Sequence, residues 1–123
     1  MDKGETLTLT DAHNHFDKMI LYPNYKVFVA EKDDLIIGTF ALLIMDNLAH
    51  VGTPSGIVED VVVAQNYQGQ GIGKTMMQFA LDRCKDFGCY KMVFSSNLKR
   101  IEAHQFYESL GFEKHGFSYR INL

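Results

Sequence analysis

The sequence predicts an α/β fold built on a mixed, mostly antiparallel sheet flanked by helices. Three observations carry that prediction. Two β-rich runs, Tyr25 to Glu31 and Leu35 to Met45, are separated only by Lys32-Asp33-Asp34, the length of a hairpin connection. Val61-Val62-Val63-Ala64 runs straight into a glycine turn and then into a helical pattern. A further apolar run, Cys89 to Ser95, follows that helix, and a helical crossover makes its strand parallel to the one before it.

The elements follow in order. Ala12, Phe16, Met19 and Ile20 recur at helical spacing behind Thr10 and Asp11, so a first helix is predicted to about Leu21, with Pro23 stopping it. His13 and His15 fall on its polar face. Thr6 to Thr10, where Leu7 and Leu9 alternate, is a candidate for a short preceding strand. The two hairpin strands come next, then a loop from Asp46 to Ser55 containing Asn47, Gly52 and Pro54. Ile57 to Val63 reads as a strand. Ile72, Met76, Phe79, Ala80 and Cys84 share one face of the following helix, and Gly88 stands where a helix stops. Arg100 to Leu110 reads as a short helix ended by Gly111, and Phe112 to Leu123 is expected to close the sheet.

Composition bounds the function. A chain of 123 residues with 46% hydrophobic residues and no repeat reads as one domain, 1–123. Twelve basic against fifteen acidic residues leave a net charge of −3, which offers no broad basic field for nucleic acid, so an anionic ligand must be held locally. The longest apolar run, Leu35 to Met45, is too short to span a bilayer, and Asp2, Lys3 and Glu5 precede no apolar signal core, so the expected location is the cytoplasm without membrane attachment. Cys84 and Cys89 fit neither a disulfide framework nor zinc spacing and read as reduced core thiols.

The glycine turn, Gln68-Gly69-Gln70-Gly71-Ile72-Gly73-Lys74-Thr75, carries the chemistry. Glycines at alternate positions let the backbone bend sharply and bring its N–H groups to a ligand, and the helix behind adds its positive end, the combination that holds phosphate. Spacing separates the ligand classes. A triphosphate loop needs glycine five positions before Gly73-Lys74-Thr75, where Gln68 stands, and a dinucleotide fingerprint needs a third glycine where Lys74 or Met76 stands. A nucleotide hydrolase is therefore disfavoured. What fits is Gln-x-x-Gly-x-Gly at Gln68, Gly71 and Gly73, which resembles the acetyl-coenzyme A pyrophosphate loop of the GNAT superfamily of N-acetyltransferases. Ile57 to Val63 is similar to that family's fourth strand. Glu102 to Phe112, with Phe106-Tyr107-Glu108 and Gly111-Phe112, is similar to its last helix and following strand.

The resemblance implies a GNAT fold and acetyl transfer from acetyl-coenzyme A to a primary amine, by direct attack in a ternary complex and with no metal. It assigns the pyrophosphate to Gln68, Gly69, Gln70, Gly71, Ile72, Gly73, Lys74 and Thr75, and the pantetheine arm to the backbone of Val61, Val62 and Val63. An N–H near Val61 or Val62 faces the thioester oxygen. Asn97 and Phe106 complete the cofactor-contacting set, although by its residue pattern Phe106 reads as an ordinary core aromatic. Glu59 is the expected general base, because a protonated amine must lose a proton before it attacks. Asp60 points to the opposite face of a regular strand, and a bulge there changes which carboxylate meets the cleft. Tyr107 is the expected proton donor to the leaving thiolate.

Other readings stay beside these. Lys74 and Thr75 read equally as a solvated lysine and an ordinary first-turn residue. His13 and His15, two apart on a helix, are poor metal co-ligands. His50, in the loop before the fourth strand of the family pattern, is a candidate for substrate contact, and His104 reads either as lining the cofactor channel or as surface, with surface favoured. Only about two dozen residues precede Tyr25, so the family's first strand and first helix are missing from the pattern. The resemblance implies a homodimer, which would cover an exposed sheet edge. In its cofactor elements the chain looks like branches acting on amino-sugar phosphates and aminoalkylphosphonates; the acceptor is a small-molecule amine or a peptide amine. The alternative is a non-catalytic acetyl-coenzyme A sensor or assembly subunit.

Overall fold

Asp33 and Asp34 set the first long-range geometry. Both take positive φ, 52° and 64°, the backbone of the two-residue turn whose twist matches paired strands. They join β1 (Tyr25–Lys32) to β2 (Leu35–Met45) as an antiparallel hairpin with Phe28 opposite Phe40. The computed structural model describes residues 6–95 and 101–123. β2 pairs in turn with β3 (Ser55–Val63), antiparallel, and β3 with β4 (Met92–Val93), parallel, so the four strands lie in the order β1-β2-β3-β4. The parallel step follows from the crossover helix α2 (Ile72–Asp86) between β3 and β4.

One face of the sheet and one face of α2 make the core. Phe40, Leu42 and Ile44 from β2 and Val58 from β3 meet Met76, Met77, Ala80 and Cys84 from α2. The helical residues are spaced as a single stripe, which is why the 3.6-residue period was readable in the sequence. Leu42, Val58 and Met77 are the largest fully buried side chains, each contributing about 1.5–3 kcal/mol relative to exposure. Gly56 allows the close approach: a Cβ there would overlap Cys84 Sγ. Phe79, at the edge of the stripe, packs against Phe28 and Phe40 with ring centroids 5.0 and 6.5 Å apart.

Four expectations are corrected. The first helix, α1 (Leu9–Met19), starts earlier because Thr8 caps it, its hydroxyl accepting the Asp11 N–H at 3.1 Å. That start takes Leu9 and Thr10 into the helix, and Thr6 to Thr8 form no strand. The strand expected over Cys89 to Ser95 is reduced to Met92–Val93, since Cys89 N–H still bonds back to Cys84 O at 2.9 Å across the helix end. The last helix, α3, spans Ile101–Ser109, and the chain beyond Phe112 forms no strand. Phe117 and Tyr119 there stand 83% and 92% exposed. Among the described residues no strand precedes β1. Among the described residues no helix is long and apolar enough to cross a membrane.

Candidate functional site

The site begins with one extra residue in β3. Thr39 and Ala41 of β2 pair with Val62 and Glu59, so two steps on β2 face three on β3. The surplus is a β-bulge centred on Asp60, whose φ is +55°. Its effect on facing is decisive. Val58 lies in the core cluster and Val61 packs against the same cluster, three positions on, where regular alternation permits two or four. Glu59 and Asp60 are both exposed, and neither enters the core. Asp60, which alternation alone would put beneath α2 with Val58, is turned out.

Just before the bulge the described pairing of β3 with β4 ends. Gly56 pairs with Met92 and Ile57 with Val93, and the described ladder between β3 and β4 stops there. Ala64 N–H donates to Ile37 O at 2.8 Å on the β2 side, so alternation turns the amides of Val63 and Val61 to the other edge, where no described residue pairs with them. A ligand with amide groups could add itself to this edge as a strand does. Val61 and Val63 are half-buried by the core, while Val62 is 56% exposed.

At the end of that edge stands the glycine turn. A 3-10 turn, Gln65–Tyr67, redirects the chain, and Gln68 Nε2 donates back to Val63 O at 3.2 Å, tying the loop to the strand. Gly69 and Gly71 have φ of +78° and +82°, and nothing lies within 4 Å of where a Cβ would sit on either. That is an open, concave backbone turn, not a packed one. Gly71 occupies the N-cap of α2 and has no side chain to cap with, and the first bond of the helix runs from Thr75 N–H to Gly71 O at 3.0 Å. The amides of Ile72, Gly73 and Lys74 therefore have no carbonyl within the helix to serve, and the positive end of α2 adds to them. Thr75 Oγ1 is engaged by Gly71 O at 3.0 Å, which favours a structural reading of its hydroxyl. Lys74 is exposed.

α3 closes the site. Phe106 lies 3.7 Å from the position of a Cβ on Gly73, so it does border the glycine turn. Tyr107 is half-buried against the core cluster, its ring 4.2 Å from Phe94 and 6.1 Å from Phe112. Phe94 directly follows β4. It escaped the sequence reading, because a lone phenylalanine after a strand looks like any core residue. Val61, Val63, Ile72, Phe94 and Tyr107 thus rest on one buried cluster, which brings the strand edge, the start of α2 and α3 together. Asn97 lies outside the described residues.

The remaining candidates are dispersed. His13 and His15 are exposed on α1, and no group of three metal-ligating side chains occurs among the described residues. His50 stacks on Tyr90, ring centroids 4.1 Å apart, which links the loop before β3 to the segment after α2. His104 is half-buried on α3 rather than on the surface. Cys84 and Cys89 are free thiols. Burial foremost, with Cys89 adding to it, pushes Cys84 up to about 12, and burial also raises Cys89, so neither is a thiolate nucleophile near neutral pH.

Comparison with known proteins fits this geometry. Residues 3–112 match the model of the acetyltransferase (GNAT) family. A glucosamine 6-phosphate N-acetyltransferase of Trypanosoma brucei brucei is 35% identical over 98 residues, 80% of this chain and 65% of its own. The aminoalkylphosphonate N-acetyltransferase of Salmonella typhimurium is 27% identical over 104 residues, 85% of this chain and 67% of its own. Among solved structures, an acetyltransferase of Trypanosoma brucei superposes with a TM-score of 0.85 at 28% identity, over 99% of this chain and 84% of its own. The chain spans 65%, 55% and 44% of the length of three curated glucosamine 6-phosphate relatives, the last a probable one. With most of its length matched, and with the glycine turn of the family's Gln-x-x-Gly-x-Gly pattern, the chain belongs to the GNAT family of acetyltransferases.

Proposed function

We propose that this chain is an N-acetyltransferase that moves an acetyl group from acetyl-coenzyme A to a primary amine by direct attack in a ternary complex. The observation that carries the proposal is the parting of β3 from β4 after Ile57 and Val93, directly upstream of a glycine turn that opens an uncapped helix. The free edge suits an amide-bearing arm and the turn suits a pyrophosphate, the two parts of coenzyme A that need most recognition. No metal is required by this reading.

Bound acetyl-coenzyme A supplies an activated acyl thioester; the chain supplies position and proton handling. Backbone N–H groups from Gly69 to Lys74 hold the pyrophosphate, and the backbone at Val61 and Val63 holds the pantetheine arm. An N–H at the bulge faces the thioester oxygen. Glu59 accepts the proton of the ammonium acceptor, directly or through water, with Asp60 as its neighbour on the bulge. Tyr107 gives a proton to the departing thiolate. Phe106 borders the glycine turn.

The acceptor we infer is a small-molecule amine, a class to which the named substrates of the relatives belong; a peptide amine is the second choice. We place the protein in the cytoplasm as a single domain over 1–123. We also propose a homodimer, supported by the exposed apolar side chains Phe117, Tyr119 and Ile121; sedimentation equilibrium showing a monomer at micromolar concentration would remove it. The alternative function is a sensor or assembly subunit that binds acetyl-coenzyme A without turnover.

Thiol release from acetyl-coenzyme A across a panel of amines, with cofactor binding followed by calorimetry, separates the two. In Glu59→Gln the expected loss of kcat is about 10²–10⁴-fold with cofactor affinity kept. Tyr107→Phe is expected to lose less, because a thiolate leaves readily. Binding without release for every amine favours the sensor, and unchanged turnover in both variants removes the assigned roles.

A further inference from the structure

We propose that Phe94 and Phe112 form an aromatic clamp that aims the phenol of Tyr107, which makes Phe94 a positioning residue for acetyl transfer. The inference rests on the proton-donor reading of Tyr107 given above. Phe94 stands immediately after β4, at the point where β4 leaves β3. Its ring centroid is 4.2 Å from that of Tyr107, with the planes inclined at 53°. Phe112 meets both rings edge-on, 4.9 Å from Phe94 at 82° and 6.1 Å from Tyr107 at 80°.

Phe112 is itself held to the same residue. Its N–H donates to Tyr107 O at 3.2 Å, and Leu110 N–H donates to that oxygen at 3.1 Å. The end of α3 therefore folds back on Tyr107, and the ring of Phe112 arrives with it. A tyrosine has two side-chain torsions, and its oxygen lies on the ring axis, so what fixes the ring fixes the C–O direction and the place from which the proton is offered. Phe106 stacks nearly parallel to Tyr107, 5.4 Å away at 13°, on the side that leads to Gly73. Aromatic neighbours surround the phenol ring, and each reaches it from a different element or turn. Packing alone would need only apolar volume here; aiming a hydroxyl needs flat faces at fixed angles.

That distinction supplies the test. Phe94→Leu keeps apolar volume and removes the flat face. With glucosamine 6-phosphate or 2-aminoethylphosphonate as acceptor, the clamp predicts a roughly fivefold to tenfold loss in kcat with KM for acetyl-coenzyme A unchanged, the loss of one aromatic pair expressed as rate. Phe94→Tyr, which restores a ring, recovers most of it. In the Tyr107→Phe background Phe94→Leu should add nothing, because no hydroxyl remains to be aimed. Losses that multiply in the double variant mean that Phe94 only supports the fold, and they overturn the clamp. If Tyr107→Phe alone leaves kcat unchanged, the donor reading falls and the clamp falls with it; a loss in Tyr107→Phe without one in Phe94→Leu overturns the clamp alone. A readout without turnover uses protein labelled with ¹³C at tyrosine Cζ. Acetyl-coenzyme A should shift the Tyr107 signal in the wild type and lose most of that shift in Phe94→Leu at equal cofactor affinity, whereas equal shifts overturn the proposal.

Discussion

Replacing Gly73 by alanine should raise stability and weaken acetyl-coenzyme A binding, two effects of opposite sign from one methyl group. Gly73 sits in the first turn of α2 without a positive φ, and the atoms nearest an added Cβ are Phe106 Cζ at 3.7 Å and Cε1 at 3.9 Å, ordinary contact distances. Nothing in the free protein resists the methyl. A glycine inside a helix costs about 0.5–1 kcal/mol relative to alanine, and for a domain of this size 1 kcal/mol corresponds to roughly 4 °C. Tm should therefore rise by about 2–4 °C. If the amides of this turn hold a pyrophosphate, the same methyl stands where the phosphate must approach. Losing one charge-assisted hydrogen bond costs about 1.5–3 kcal/mol, so Kd should weaken by about 10–150-fold. Scanning calorimetry on the free protein and titration calorimetry with acetyl-coenzyme A measure the two effects separately. A higher Tm with unchanged Kd would refute the phosphate cradle, and a lower Tm would refute the account of the turn itself. Gly71→Ala is the contrast: φ is +82° with open space around it, so the strain of about 1–2 kcal/mol lies in the backbone, and stability and affinity should both fall.

Two further substitutions examine the scaffold. Gly56→Ala drives a methyl into Cys84 Sγ, an overpacking cost of about 1–3 kcal/mol; urea unfolding should find Gly56→Ala/Cys84→Ala more stable than Gly56→Ala alone, and no recovery would mean that the contact is misread. Cys84 also makes stability depend on alkaline pH. Its thiol is pushed up from 9.0 to about 12, by burial first. Between those values the unfolded chain releases a proton that the folded chain keeps, so this contribution is whole below pH 9 and is lost as pH rises towards 12. The urea midpoint should fall less between pH 8 and pH 10.5 in Cys84→Ala than in the wild type, and equal slopes would exclude the thiol as the cause.

The sequence was most legible where one element had a complete local pattern. α2 announced itself through a stripe from Ile72 to Cys84, and its stop at Gly88 was readable because capping is local chemistry. The hairpin was readable for the same reason, through Asp33 and Asp34. What failed depended on more than alternation. Alternating leucines at Leu7 and Leu9 looked like a strand, but the hydroxyl of Thr8 between them caps a helix that takes in Leu9. Phe117 to Leu123 alternates as a strand does, yet alternation describes a face and not a neighbour. In the site, the glycine turn was legible because its chemistry needs glycine. Phe94 was invisible because nothing local distinguishes a phenylalanine that touches Tyr107 from one that fills space.

Which carboxylate meets the cleft is a question of the second kind, and the bulge changes its terms. Glu59 and Asp60 were set against each other on the premise that neighbours on a strand face opposite ways. That premise holds only while β3 keeps step with β2, and it does not: Glu59 and Val62 pair with residues only two apart on β2. The extra residue lets Val58 and Val61 both reach the core and leaves the two carboxylates between them outside it. The same irregularity lies where β3 has parted from β4, so the edge offered to the cofactor and the acidic pair offered to the acceptor arise from one local departure from strand geometry. A regular β3 would bury Asp60 as an unpaired charge beneath α2, at a cost no nearby cation offsets among the described ion pairs. The bulge thus serves the fold by keeping a charge out of the core, and the chemistry by keeping that charge beside the open edge.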